Sequence, residues 1–130
     1  MLDALLDGVV SWARDRADVR AIVLVGSHAR GTARPDSDVD LVLLVERPDE
    51  LLTDAAWLER FGPVARHVVE RWGRVFSVRT WYTSGAEVEF GLTTPDWVTR
   101  PDAGTERVLR DGARVLLDRD GLFAARLSGP

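Results

Sequence analysis

The sequence predicts an α+β domain of the α/β type, a single mixed β-sheet flanked by helices. Three observations predict it. Ala21–Val25 and Val39–Val45 are short, nearly continuous apolar runs, the signature of strands buried on both faces. Segments with helical spacing precede the first run and follow the second. Residues 75–92 hold two β-rich runs separated by Ser84-Gly85, a hairpin signal.

Residues 3–16 carry Leu5, Leu6, Val9, Val10 and Ala13 on or near one stripe, which predicts an amphipathic helix. The run 21–25 ends at Gly26, and the run 39–45 is interrupted only by Asp40. Pro48, Asp49 and Glu50 mark a helix start. From 50 to 72, residues Leu51, Leu52, Ala55, Leu58, Phe61, Val64, Ala65, Val68 and Val69 predict one long helix, or two joined near Gly62-Pro63. Val75–Tyr82 and Glu87–Leu92 form the hairpin, and Pro95 and Pro101 bracket a loop. A short helix over 105–110 ends at Gly112, Arg114–Leu117 is a last strand, and 122–127 is a final helical turn or tail. Helix, two strands, helix, hairpin, short helix and short strand in this order make one sheet with helices packed against it.

Length and composition narrow the function classes. The 130 residues suit one domain, spanning 1–130, with 45% hydrophobic and 29% charged residues. No basic leader precedes Asp3 and Asp7, and no apolar run nears the ~20 residues that cross a bilayer, so a cytoplasmic protein is expected. The absence of cysteine excludes disulfides and thiolate metal sites. A net charge of −4 argues against general nucleic-acid binding. Every basic residue other than the histidines is arginine, so any cationic phosphate contact is a guanidinium fork.

The segment from Gly26 to Asp40 carries the chemistry. It sets a Gly-Ser turn after one apolar run and two carboxylates, Asp38 and Asp40, at the head of the next. Positions two apart on a strand share a face, and two carboxylates held side by side raise each other's cost of ionisation. A divalent cation between them removes that repulsion. Backbone N–H groups of the Gly-Ser turn offer a place for phosphate. Two-metal phosphoryl or nucleotidyl transfer commonly needs a third carboxylate, and Mg²⁺ takes oxygen ligands. Glu87 and Glu89 share one face of the returning hairpin strand. If that strand lies beside Asp38 and Asp40, either glutamate can complete the set. Glu89, nearer the strand centre, is the better placed.

Gly26-Ser27, ten intervening residues and Asp38-Val39-Asp40 followed by Leu41-Val42 resemble the signature of the polymerase-β-like nucleotidyltransferase superfamily, closest to its minimal nucleotidyltransferase branch. Ala29-Arg30-Gly31, Ser37-Asp38, Val88-Glu89-Phe90-Gly91-Leu92 and the 112–121 stretch are similar to that branch as well. The resemblance implies a palm-like sheet and Mg²⁺-dependent transfer of AMP from ATP to an acceptor hydroxyl, with two ions. By the same resemblance Gly26 and Ser27 hold the triphosphate, Arg30, Arg34 and Ser37 contact the nucleotide, and Asp38 and Asp40 bind metal. Glu89 would be third ligand and base, where many members have Asp. Members of the branch often pair with a small helical HEPN-type toxin and act as its antitoxin by adenylylating it. Relatives that modify antibiotics or tRNA grip the acceptor with a further domain, so a partner protein or a second copy of the chain is expected to supply that grip.

Each feature also has a plainer reading. Asp36 to Asp40 can be a polar turn entering a strand. Arg30 and Arg34 can be solvated, and Thr32 and Ser37 can close turns. His28 reads as incidental and His67 as a packing or surface residue of the long helix. Trp12, Trp57, Trp72, Trp81 and Trp97 read as core and edge packing, with Trp81 and Trp97 lining a cleft if the strand ends and the 93–102 loop converge. Two rival functions follow: a non-catalytic module that binds ATP, metal or a partner, and a dimeric antibiotic-type transferase for small molecules.

Overall fold

The computed structural model describes residues 2–124. Helix α1 (Leu2–Arg14) leads into strand β1 (Val19–Val25), the short helix α2 (Gly26–Arg30) and strand β2 (Val39–Val45). Helix α3 (Pro48–Thr53) and a 3₁₀ helix (Ala55–Phe61) follow. Strands β3 (Val64–Trp72), β4 (Val75–Tyr82) and β5 (Glu87–Thr93) form a meander. Helices α4 (Asp96–Thr99) and α5 (Ala103–Asp111) and strand β6 (Arg114–Asp118) complete the order. The six strands make one sheet, β3-β4-β5-β2-β1-β6. Among the described residues only the β2–β5 pair is parallel; the other pairs are antiparallel.

The long helix predicted over 50–72 is not formed. Its first part is α3 and the 3₁₀ helix, and its second part is β3, so His67 and Trp72 lie on an exposed edge strand. The apolar residues of 64–72 do fit a helical period, but Pro63 lacks the N–H that continued helix needs. Val64, Val68 and Val69 are β-branched, which favours a strand. The deciding signal is Gly73: Trp72 pairs with Val75 across a two-residue turn, and Gly73 has φ +60, which a turn of this type asks of its first residue. The predicted 93–102 loop contains α4, a single turn that buries Trp97. Of the expected turn at 122–127, residues 122–124 are helical, their N–H groups at Leu122 and Phe123 donating to Asp118; the remainder lies outside the described residues.

The two faces of the sheet hold different cores. On one face α1, α3 and the 3₁₀ helix cover Leu24, Leu41, Leu43, Val88, Phe90 and Leu92. Trp12 stacks on Trp57 at 5.2 Å, and Trp57 meets Phe90 edge-on at 5.0 Å. On the other face a smaller cluster joins Val23, Val25, Val42 and Leu44 to Trp97, Val98 and Phe123. Phe90→Ala should therefore cost about 3–5 kcal/mol, a large part of a small domain's stability. Urea titration should show the midpoint falling with an unchanged m-value; a midpoint near wild type would contradict this packing.

Strand direction places the site. Because β1 runs antiparallel to β2, the exit of β1 lies beside the entry of β2, with Val25 opposite Asp40. Because β5 runs parallel to β2, its entry lies at the same edge, with Glu89 opposite Asp40. Gly26-Ser27, Asp38-Asp40 and Glu89 are thus delivered to one end of the sheet by three neighbouring strands.

Candidate active site

Asp38 immediately precedes β2 and Asp40 is its second residue, so both project to the face carrying Glu89. Carboxylate oxygens of Asp38, Asp40 and Glu89 all lie within 4.8 Å of one another. The sequence thus brings together the three acids it was expected to. Burial, the hydrogen bond with Glu89 and the negative charge of Asp38 push the Asp40 carboxyl up to about 8. Its Oδ1 is buried with no hydrogen-bond partner. A buried carboxylate oxygen left without a donor, beside two further acids, is what a bound cation would satisfy. The donor set is all oxygen, so these residues fit Mg²⁺.

Gly26 is required here by close approach. Its φ is +75, and a Cβ at this position would run into Asp40 Oδ2. The chain leaving β1 wraps against the Asp40 carboxylate and then turns into α2. Val25 at the N-cap offers no side-chain acceptor, so the first N–H groups of α2 are not capped by a side chain. The Ser27 carbonyl accepts from the N–H of Thr32 at 3.0 Å and from that of Gly31, which closes the helix.

The remaining predicted contacts divide. The Ser37 hydroxyl accepts the Arg34 N–H at 2.8 Å and the Ser37 N–H donates to the Arg34 carbonyl at 3.0 Å, so Ser37 closes a turn. His28 Nε2 lies 3.4 Å from the Ser37 carbonyl and ties α2 to that turn, a role the sequence did not suggest. Arg30 and Arg34 are exposed and form no ion pair among the described residues. Arg30 packs its stem near Gly112, where a Cβ would come within 3.3 Å of Arg30 Cγ. Glu87 accepts the Trp81 indole N–H at 3.0 Å and stands 3.7 Å from Arg79, outside the acidic triad. Between the two glutamates, Glu89 is the one that joins the aspartates.

Ser77 and Arg79 were not singled out from the sequence. The Ser77 hydroxyl donates a short hydrogen bond to Glu89 Oε1, and Arg79 Nη2 is 3.4 Å from Glu89 Oε2. Arg79 stands opposite Glu89 and Trp81 opposite Glu87 in the antiparallel β4–β5 pair. Their signal is the alternation Ser77, Arg79, Trp81 on β4, which is legible once the hairpin register is known.

A cleft of about 460 Å³ opens from the acids across the same sheet face. Asp40, Glu89 and Ser77 stand at one end and Trp72, Trp97 and Val108 form its walls. Trp97 lines it as expected, but Trp72 takes the place foreseen for Trp81, whose indole is held by Glu87.

The sequence profile of the streptomycin adenylyltransferase family matches residues 2–128. The chain belongs to this family. It lies within the polymerase-β-like nucleotidyltransferase superfamily. No curated protein matches it. Among solved structures, it is similar to an aminoglycoside 6-adenyltransferase from Bacillus subtilis, with TM-score 0.61 and 16% identity over 78% of this chain and 38% of that one. It is also similar to the polymerase core of TRAMP, an RNA surveillance complex, with TM-score 0.49 and 20% identity over 68% of this chain and 28% of that one. The Bacillus subtilis likeness shows the fold, a mixed six-stranded sheet flanked by helices. The chain spans well under half the length of that enzyme. Among the described residues no helix is long and apolar enough to cross a membrane.

Proposed function

We propose that this domain transfers AMP from ATP to a hydroxyl of a small-molecule acceptor, with Mg²⁺ held by Asp38, Asp40 and Glu89. The observation that carries this reading is the unpartnered Asp40 Oδ1 inside the three-acid cluster. Membership in a family of antibiotic adenylyltransferases favours a small-molecule acceptor over a partner protein.

Mg²⁺, when bound, neutralises the carboxylates and the charge that builds on the phosphates during transfer. No side chain caps the first N–H groups of α2, and these would hold the β- and γ-phosphates. Glu89 accepts the proton of the acceptor hydroxyl. The freed oxygen forms a bond to the α-phosphorus while the bond from that phosphorus to the bridging oxygen breaks, and pyrophosphate leaves. Ser77 and Arg79 hold the Glu89 carboxylate in place through the contacts described above.

The Asp38→Ala/Asp40→Ala variant should lose transfer of label from α-³²P-ATP while keeping a wild-type circular dichroism spectrum. Full label transfer by that variant would sink the assignment. If the wild-type protein binds Mg·ATP by titration calorimetry but transfers no label to any acceptor, the domain is a binding module.

A further inference from the structure

We propose that β3 is a self-pairing interface: two copies of this chain join their β3 edges antiparallel, centred on Val68, into one continuous sheet. β3 ends the strand order, so one of its edges has no strand beside it among the described residues. The strand has nine residues, against a usual length of about five or six, and a long open edge offers a row of N–H and C=O groups to another strand. Val68, Val69 and Trp72 are 40%, 47% and 61% exposed along it. Three of the five exposed large apolar side chains among the described residues thus stand on this one strand.

The hairpin sets which backbone groups of β3 are free. Trp72 and Val75 flank a two-residue turn and so form a hydrogen-bonded pair. By alternation Glu70 and Val68 direct their backbone groups to β4, while Arg71, Val69 and His67 turn theirs to the open edge. A second copy meeting that edge antiparallel is related by a two-fold axis perpendicular to the sheet, and residues opposite one another lie on one face. The axis therefore falls on a residue and not between two.

Charge selects that residue. With the axis at Val68, Arg66 faces Glu70 of the second copy, twice over, in the closely spaced non-hydrogen-bonded pairs, and Val68 faces its own copy. At His67 the axis would set Arg66 against Val68. At Val69 it would set Val68 against Glu70 and His67 against Arg71, and at Glu70 it would bring two carboxylates together. Neither Arg66 nor Glu70 has an ion-pair partner within the chain among the described residues. Arg66 is held on this face over the Trp81 ring, 4.0 Å from its centroid. Edge charges that guard against pairing repel under the two-fold, whereas these meet their opposites. Arg66, Val68 and Glu70 pair with Trp81, Arg79 and Ser77 of β4, so they share the face of the acids. The two acidic sites therefore open on the same side of the joined sheet.

Sedimentation velocity on the whole chain, up to high micromolar concentration, should show a species of twice the 14.4 kDa chain mass. Arg66→Glu and Glu70→Arg each set like charges face to face and should weaken the dimer at least about tenfold. The double variant restores opposite charges and should recover most of the loss. Val68→Cys reads the register without disturbing the charges, because the chain has no other cysteine. Its two thiols would stand across a non-hydrogen-bonded pair with Cα atoms about 4.5 Å apart, and should close an intermolecular disulfide under mild oxidation. Val69→Cys sets its thiols on a diagonal, about 7–8 Å apart, and should cross-link at least about tenfold more slowly. A monomer at every concentration would overturn the inference. So would a dimer whose Kd ignores both single reversals or is not recovered by the double one. Faster cross-linking of Val69→Cys than of Val68→Cys would place the axis elsewhere and overturn it too. Neither readout uses ATP or Mg²⁺, so failure here leaves the transfer reaction untouched.

Discussion

Asp40→Asn is expected to make the metal-free protein more heat-stable at pH 8, while abolishing both turnover and stabilisation by Mg²⁺. In the folded chain the Asp40 carboxyl is pushed up to about 8 from an ordinary value of 3.8. A raised acid contributes stability that is fully present below its unfolded value and is lost as pH rises through its folded one. The wild-type protein should therefore lose stability from this group between about pH 4 and pH 8. Asn is neutral throughout and incurs no such loss. Part of the Asp40 side chain reaches solvent, which screens the effect, so a gain of about 3–10 °C in Tm at pH 8 is expected, shrinking toward pH 5. Turnover should fall about a thousandfold or more, since a ligand of the reaction's charge-neutralising ion is lost. Scanning fluorimetry from pH 5 to 8.5, with and without Mg²⁺, checks each part. A variant less stable than wild type at pH 8, or one with an undiminished Mg²⁺ response, would overturn the account of this site.

The acidic edge of the sheet was legible because its signals are local. Val39–Val45 is bounded in the structure where the sequence bounded it, since a continuous apolar run with one polar interruption has few other uses. Asp38 and Asp40 share a face by strand periodicity alone. Glu89 needed one more assumption, that β5 lies beside β2. The register Asp40 to Glu89 satisfies it. What stayed hidden depends on pairing between distant segments. Ser77 and Arg79 gain meaning only opposite Glu89, and their alternation on β4 announces nothing until that register is known.

The failure at 50–72 has a different cause. Val64, Val68 and Val69 recur at spacings that suit a helix, yet β3 is an edge strand whose side chains are largely exposed, so no buried face exists for the period to report. The apolar pattern there reflects a hairpin whose tip, Trp72 to Arg74, reaches over the cleft. Of the misread stretch only Trp72 lines the space beside the acids, whose other walls come from β1, β2, β4, β5, α4 and α5 and from the turn after Trp72.

Gly26→Ala should be the most damaging single methyl addition in the site. Alanine at φ +75 costs about 1–2 kcal/mol, and its Cβ would meet Asp40 Oδ2, with Asp40 Cγ at 3.1 Å, adding about 1–3 kcal/mol of overpacking. The Asp40 carboxylate must move to relieve the contact, and it cannot do so without leaving Asp38 and Glu89. Mg²⁺ affinity and turnover should therefore fall at least about a hundredfold, a displacement effect known to follow small errors in reacting geometry. Gly31 provides the control. Its φ is +74, nearly the same, but a Cβ there meets nothing within 4 Å. Gly31→Ala should show the backbone cost alone and leave Mg²⁺ binding intact. Chemical denaturation of both variants, repeated in an Asp40→Ala background, separates the two contributions. In that background the cost of Gly26→Ala should drop toward that of Gly31→Ala, because the carboxylate it collides with is gone. An unchanged cost would mean that Gly26 serves the turn and not the acid beside it.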